Sequence, residues 1–127
     1  MRLLLDTHVL LWALSGSKRL ADEARELIES PDNDVLFSAA SVWEIAIKRT
    51  LGRLEVPEDY LEAVEASDIQ LLSITGEHAE AAGALPRHHD DPFDRMLIAQ
   101  ARIDELTLVT ADRRLPDYGV PVLLARQ

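Results

Sequence analysis

The chain contains no cysteine, which excludes disulfides, thiolate metal sites and cysteine nucleophiles together. It also lacks any run of the roughly 20 apolar residues that a membrane-spanning helix needs. The opening Met1-Arg-Leu-Leu-Leu carries a charge and an apolar stretch. It meets Asp6 and His8 too soon for a signal peptide, whose apolar region runs for about 7–15 residues. It reads instead as a first strand, and a cytoplasmic protein is expected. Positive charge is scarce: 13 Lys and Arg stand against 23 Asp and Glu, a net charge of −10. That argues against a broad basic face for nucleic acid. Either the partner is not an anion, or metal ions supply the local positive charge, or an acidic surface meets a basic partner chain.

What is present suits one packed globule. With 127 residues, 47% of them hydrophobic, the chain reads as one domain over residues 1–127 with a single core. Strands are expected at Leu3–Leu5, Val35–Phe37, Gln70–Ile74, Leu106–Thr110 and Val120–Leu124. The last reads as an edge, because Pro121 cannot donate to a ladder. Helices are expected at His8–Leu14, Ala21–Glu29, Ser41–Leu51, Pro57–Ala66, Glu77–Leu85 and Pro92–Glu105. The third carries Trp43, Ile47 and Leu51 at intervals of four and is closed by Gly52. The last has a wide apolar stripe through Phe93, Met96, Leu97, Ile98 and Ala101. Short apolar strands alternating with helices imply an α/β fold: a parallel sheet covered on both faces, with its ligand crevice at the carboxyl ends of the strands.

Four acids fall on that edge. Asp6 closes the first strand, and Asp112 follows the run Thr107-Leu-Val-Thr-Ala. Glu44 and Asp94 fall in the first turns of helical patterns that begin near Ser41 and Pro92. Each also has a plain structural role to offer. Asp6 could cap the helix near His8, as could Thr7. Ser41-Val-Trp-Glu44 fits a capping box. Asp112 could be a turn residue. Asp91-Pro92 is the signature of a helix start, which makes Asp91 the cap and leaves Asp94, at the third helical position, free to face the sheet edge. Taken together the four would repel one another unless a cation were bound. Thr110 could orient a carboxylate or a water. His88-His89-Asp90-Asp91 resembles a zinc cluster, but adjacent residues rarely converge on one ion and no other ligand lies at suitable spacing. His8 is expected to pack or hydrogen-bond near the site.

The pattern resembles PIN-domain proteins of the VapC type, the ribonuclease half of type II toxin–antitoxin pairs. The matching stretches are Leu4-Leu-Asp-Thr-His-Val-Leu-Leu-Trp, Ser38-Ala-Ala-Ser-Val-Trp-Glu-Ile-Ala-Ile-Lys, His89-Asp-Asp-Pro-Phe-Asp-Arg-Met-Leu-Ile-Ala-Gln-Ala and Leu108-Val-Thr-Ala-Asp, with Tyr118-Gly-Val-Pro-Val near the end. They cover nearly the whole chain in order. The resemblance implies a three-layer α/β/α fold around a parallel sheet of four or five strands. Its acidic quartet maps onto Asp6, Glu44, Asp94 and Asp112, with Thr110 as an accessory. Mg²⁺, or Mn²⁺, is the implied ion, structured RNA such as tRNA or rRNA the implied substrate, and a small basic antitoxin the implied partner. Arg113-Arg114-Leu115-Pro116 is more basic than the family pattern there.

The expected chemistry is metal-dependent phosphodiester hydrolysis. Asp6 and Asp94 would hold the principal ion and Asp112 would complete its shell or help a second. Glu44 would bridge to that second ion or accept a proton from the attacking water. The most buried of the four should have a raised pKa without metal. Lys48, Arg49, Arg95 or Arg113 would touch RNA. Leu10, Leu11, Trp12 and Leu14 exceed what a short helix usually buries, so part of that surface is expected in a partner groove or a homodimer contact. An inert PIN-fold binding module is the main alternative. A receiver domain lacks its acceptor Asp and late Lys here, and an aspartyl phosphatase would need Asp where His8 stands.

Overall fold

A computed structural model describes residues 1–87, 90–113 and 115–126. His88 and His89, the imidazoles of the run set aside above as a zinc site, and Arg114 therefore lie outside the described residues. The elements run β1 (Arg2–Leu5), α1 (Thr7–Ser15), α2 (Asp22–Glu29), β2 (Asp34–Ser38), α3 (Ala39–Thr50), α4 (Tyr60–Ala66), β3 (Gln70–Leu72), α5 (Gly76–Ala84), α6 (Pro92–Ile103), β4 (Thr107–Thr110) and β5 (Val122–Leu124). A short 3₁₀ turn, Leu115–Tyr118, links β4 to β5.

The five strands are all parallel in the order β3-β2-β1-β4-β5. Central β1 is apolar on both faces because helices cover both, and Leu3, Leu4 and Leu5 are all fully buried. Strand alternation divides the core in two. Leu3, Leu5, Val35, Phe37 and Val109 face one layer, with Val9, Leu10, Ala24, Ile45, Tyr60 and Val64 of α1 to α4. Leu4, Leu36 and Leu108 face the other, with Leu97, Ile98 and Ala101 of α6 and Leu115 and Tyr118 of the 3₁₀ turn. This is the α/β/α arrangement expected, with five strands. The Pro121 strand is an edge, and the other edge is β3.

Strand order reverses direction at β1, whose neighbours β2 and β4 are reached by connections to opposite sides. A crevice outside the carboxyl ends opens at such a switch point, because the helices that follow diverge to opposite faces. Asp6 directly follows β1, and Asp112 comes two residues after β4.

Two local expectations are corrected. Helix α3 begins at Ala39 rather than Ser41: its N-cap is Ser38, whose hydroxyl accepts from the Ala40 amide at 2.9 Å. Glu44 is thus the sixth helical residue, beyond the first turn, and makes no capping box. The row Trp43, Ile47 and Leu51 does not face the core either. Trp43 is 62% exposed and Leu51 58% exposed, while Ala40, Ser41, Glu44 and Ile45 turn inward. A period of four fits either face of a helix; two polar residues on the buried face disguised it.

Candidate active site

Asp6 enters the crevice because β1 ends there and α1 starts at once. Its backbone stays extended (φ −72°, ψ 170°), and Oδ1 accepts from the Val9 amide at 2.8 Å as the helix cap. Oδ2 accepts from the Thr110 hydroxyl at 2.5 Å. That hydroxyl in turn accepts from the Asp112 amide at 3.1 Å. One fully buried threonine therefore fixes the rotamer of Asp6 and the turn carrying Asp112. Cap and inward-facing carboxylate coexist at Asp6, as the two roles allow.

Glu44 comes from α3. The hydroxyl of Thr7 donates to its Oε1 at 2.5 Å and lies 3.0 Å from the Ser41 hydroxyl. Lys48, one turn on, places its ammonium 2.5 Å from Oε2. Thr7, Ser41 and Glu44 are all buried. Thr7 was expected as an alternative cap; its hydroxyl instead ties α1 to α3.

Asp91 caps α6, accepting from the amides of Phe93 at 2.8 Å and Asp94 at 3.3 Å, with Pro92 in the first helical position. Asp94 sits in the first turn and is partly buried. Asp6, Glu44, Asp94 and Asp112, together with Asp91, line one cleft of about 420 Å³. Residues from four separated stretches thus meet as expected. Among the described residues, however, no three acidic or imidazole side chains are grouped closely enough to form a finished metal cage.

Electrostatics in the cleft are dominated by burial. Desolvation raises the Asp6 carboxyl above its ordinary value, against the lowering effects of the Thr110 and Val9 hydrogen bonds and the nearby His8. The donor set itself is all oxygen, with two carboxylates almost entirely buried, and a lysine ammonium already lies against one of them. Hard oxygen donors with excess negative charge fit a divalent cation such as Mg²⁺.

The expected cationic contacts divide. Lys48 lines the cleft, and so does His8, whose ring centroid is 6.3 Å from that of Trp12. Arg49 instead donates to the Pro57 carbonyl at 3.1 Å and lies over the Tyr60 ring. Arg95 gathers the carbonyls of Ala82, Leu85 and Pro86 at the end of α5. Arg113 is exposed and does not line the cleft. Two cationic residues that sequence reasoning missed do line it: Arg19 and Arg126. Their proximity depends on an isolated antiparallel bridge between Leu20 and Arg126, which no local pattern announces.

In α1, Leu10 is wholly core, contrary to its inclusion in a partner surface. Leu11, Trp12 and Leu14 are partly buried, and with Leu54, Val56, Pro57, Tyr60 and Ala63 they line an apolar groove of about 420 Å³. The groove shares His8, Trp12 and Arg19 with the acidic cleft.

A parallel sheet with acids gathered at its switch point has known counterparts. The family model described as PIN domain matches residues 3–121. Ribonuclease VapC22 of Mycobacterium tuberculosis is 33% identical over 121 residues, covering 93% of this chain and 92% of the relative. The chain belongs to the PIN-domain family, in its VapC branch. Among solved structures, VapBC2 from Rickettsia felis, bound to a DNA fragment from their promoter, superposes with a TM-score of 0.73 at 14% identity, covering 98% of this chain and 99% of that one. A chain of a toxin–antitoxin complex from Klebsiella pneumoniae gives 0.63 at 22% identity, with 94% of each covered. At those identities the likeness is one of fold.

Proposed function

We propose that the protein is a Mg²⁺-dependent endoribonuclease toxin, acting on RNA of the tRNA or rRNA kind in the cytoplasm and neutralised by a basic antitoxin. Mn²⁺ would serve in place of Mg²⁺. The observation that carries this is the convergence of Asp6, Glu44, Asp94 and Asp112 on one cleft at the carboxyl edge of a PIN-domain sheet. The name of the relative VapC22 supports a ribonuclease.

In this reading Asp6 and Asp94 hold the principal ion and Asp112 completes the set. A bound divalent ion supplies Lewis-acid polarisation of the phosphoryl oxygen and a more acidic water. The protein does the rest. Thr110 holds Asp6 in one rotamer, so that the carboxylate costs no reordering when the ion arrives. Glu44 accepts the proton of the attacking water, and Thr7 fixes its orientation. Lys48 holds positive charge beside Glu44. No serine, cysteine or histidine nucleophile is required.

The antitoxin reading rests on the apolar groove at α1 and α4, which leads into the cleft. A basic partner suits the net charge of −10, and an arginine delivered along the groove would pair with Asp6 or Asp94. A homodimer is the last part of the proposal. Copies bearing −10 repel unless they meet through an uncharged face. Trp43 and Phe93 pack edge to face at 5.4 Å and continue into Ile74 and Met96, a largely apolar face on which Asp90 and Arg95 offset one another in charge.

The experiment that tests the enzymatic reading maps RNA cleavage ends with and without Mg²⁺, for wild type and Asp6→Asn. Cuts that need both the ion and Asp6 are expected. Cutting that survives loss of either would overturn the reading.

A further inference from the structure

An acidic enzyme that handles RNA has to hold phosphates beside its own carboxylates, and most of its cations are occupied elsewhere. Arg2, Arg25, Arg49, Arg95 and Arg102 each donate to backbone carbonyls, and Arg87 pairs with Asp90. Lys48 is committed to Glu44. Arg19 and Arg126 differ. Both are exposed, both line the acidic cleft, and among the described residues neither guanidinium has an ion-pair partner.

Their position is built rather than incidental. Arg19 lies in the connection from α1 to α2, and Arg126 follows β5. The bridge between Leu20 and Arg126 joins the two segments, reinforced by the Ala21 amide donating to the Ala125 carbonyl at 2.6 Å. The Ala125 amide donates to the Thr110 carbonyl at 2.8 Å. The backbone that carries the arginines is therefore bonded directly to the residue whose hydroxyl orients Asp6. Leu20 and Ala125 are themselves buried, so the attachment is anchored in the core.

We infer that Arg19 and Arg126 form a phosphate-binding lip, gripping RNA backbone phosphates adjacent to the one presented to the carboxylates. This rests on the ribonuclease reading above and names how that site takes its substrate. A guanidinium presents planar paired donors to phosphate oxygens, so two of them on one rigid platform fix the direction in which the strand crosses the cleft. They are positioning residues. Without them the strand still carries a scissile bond, but binds more weakly and in less defined register.

Two measurements test this. The first is steady-state cleavage of a single-stranded RNA by Arg19→Ala/Arg126→Ala. A KM raised about tenfold is expected, with the loss falling on KM rather than kcat, and Arg53→Ala, exposed and outside the cleft, serves as the unaffected control. The second is salt-dependent binding of the same RNA in an Asp94→Asn background. The slope of log affinity against log salt should fall by about 0.7 for each arginine removed, and Arg19→Lys/Arg126→Lys should restore most of it. Unchanged KM and unchanged slope overturn the inference while leaving the nuclease reading intact. Wild type that shows the arginine-dependent slope but cuts no RNA contradicts the nuclease reading instead. A slope unaltered for RNA but reduced for polyglutamate assigns the arginines to an acidic protein partner and also overturns the inference.

Discussion

Two regions of this molecule bury polar groups, and they solve the problem differently. Between α5 and α6, His78 is 2% exposed. Its Nδ1 accepts from the Thr75 amide at 3.1 Å while its own amide donates to the Thr75 hydroxyl at 3.1 Å, a reciprocal cap. Its Nε2 lies 3.3 Å from Asp104, which caps the carboxyl end of α6, and Gln100 of that helix donates to the Ser73 carbonyl. Most polar atoms find neutral or opposite-charge partners there, although the buried Gln100 Oε1 has none among the described residues, and the cluster staples two helices. In the cleft the same kinds of residue leave a surplus of one sign: five carboxylates stand against Lys48 and two exposed arginines. Burial of polar groups alone does not distinguish scaffold from site. A net charge left facing an opening does.

The largest effects expected would break that contrast if they failed. Asp94→Asn and Asp6→Asn should each lower Mg²⁺-dependent RNA cleavage by more than about 100-fold, since even the partners of metal ligands typically cost 10–100-fold. His78→Ala should leave cleavage by the folded protein intact, as followed by initial rates normalised to folded fraction.

Stability should move the other way. His78→Ala keeps the Thr75 cap but removes the acceptor of the Thr75 amide, the partner of Asp104 and a buried ring, at a cost of about 2–4 kcal/mol in urea unfolding. Asp6→Asn, by contrast, should raise the thermal midpoint of metal-free protein at neutral pH. Burial lifts the Asp6 carboxyl in the folded state above its unfolded value near 3.8. The folded chain therefore holds a proton that the unfolded chain releases first, and stability is lost as pH climbs from that unfolded value through the raised folded one. The advantage of Asp6→Asn should accordingly be absent below the unfolded value, grow across that window and level off above it. Added Mg²⁺ should stabilise wild type by mass action and shrink the gap.

The smallest effect on the isolated fold belongs to Trp43→Ala. With the side chain 62% exposed, the change in stability should stay within about 0.5 kcal/mol, yet sedimentation should move toward monomer if copies meet on that face. A dimer undisturbed by the substitution places the contact elsewhere.

Much of this was legible from local chemistry. The apolar runs around Leu4 and Leu36 announce buried parallel strands because each is followed by a helical period, and the run around Leu108 because it follows one and is β-prone. Asp91-Pro92 announces its helix start because only a capping side chain followed by a residue without an amide suits that position. What remained hidden was non-local. The inward face of α3 carries Ser41 and Glu44, so the conspicuous Trp43, Ile47 and Leu51 row pointed the wrong way. The link from Thr7 to Glu44 spans α1 and α3, and the approach of Arg19 to Arg126 needs the last strand to be in place. Such pairings follow from tertiary packing, which no window of sequence contains.

The most direct test of the central claim compares wild type, Asp94→Asn and Asp91→Asn in Mg²⁺-dependent cleavage of one RNA, with cut ends mapped. Asp91 and Asp94 stand three residues apart and line the same cleft, but Asp91 spends Oδ1 on the helix cap, which asparagine supplies about as well. Asp91→Asn is expected to cut at the same ends at nearly the wild-type rate, and Asp94→Asn at none. An active Asp94→Asn beside a dead Asp91→Asn would contradict the claim.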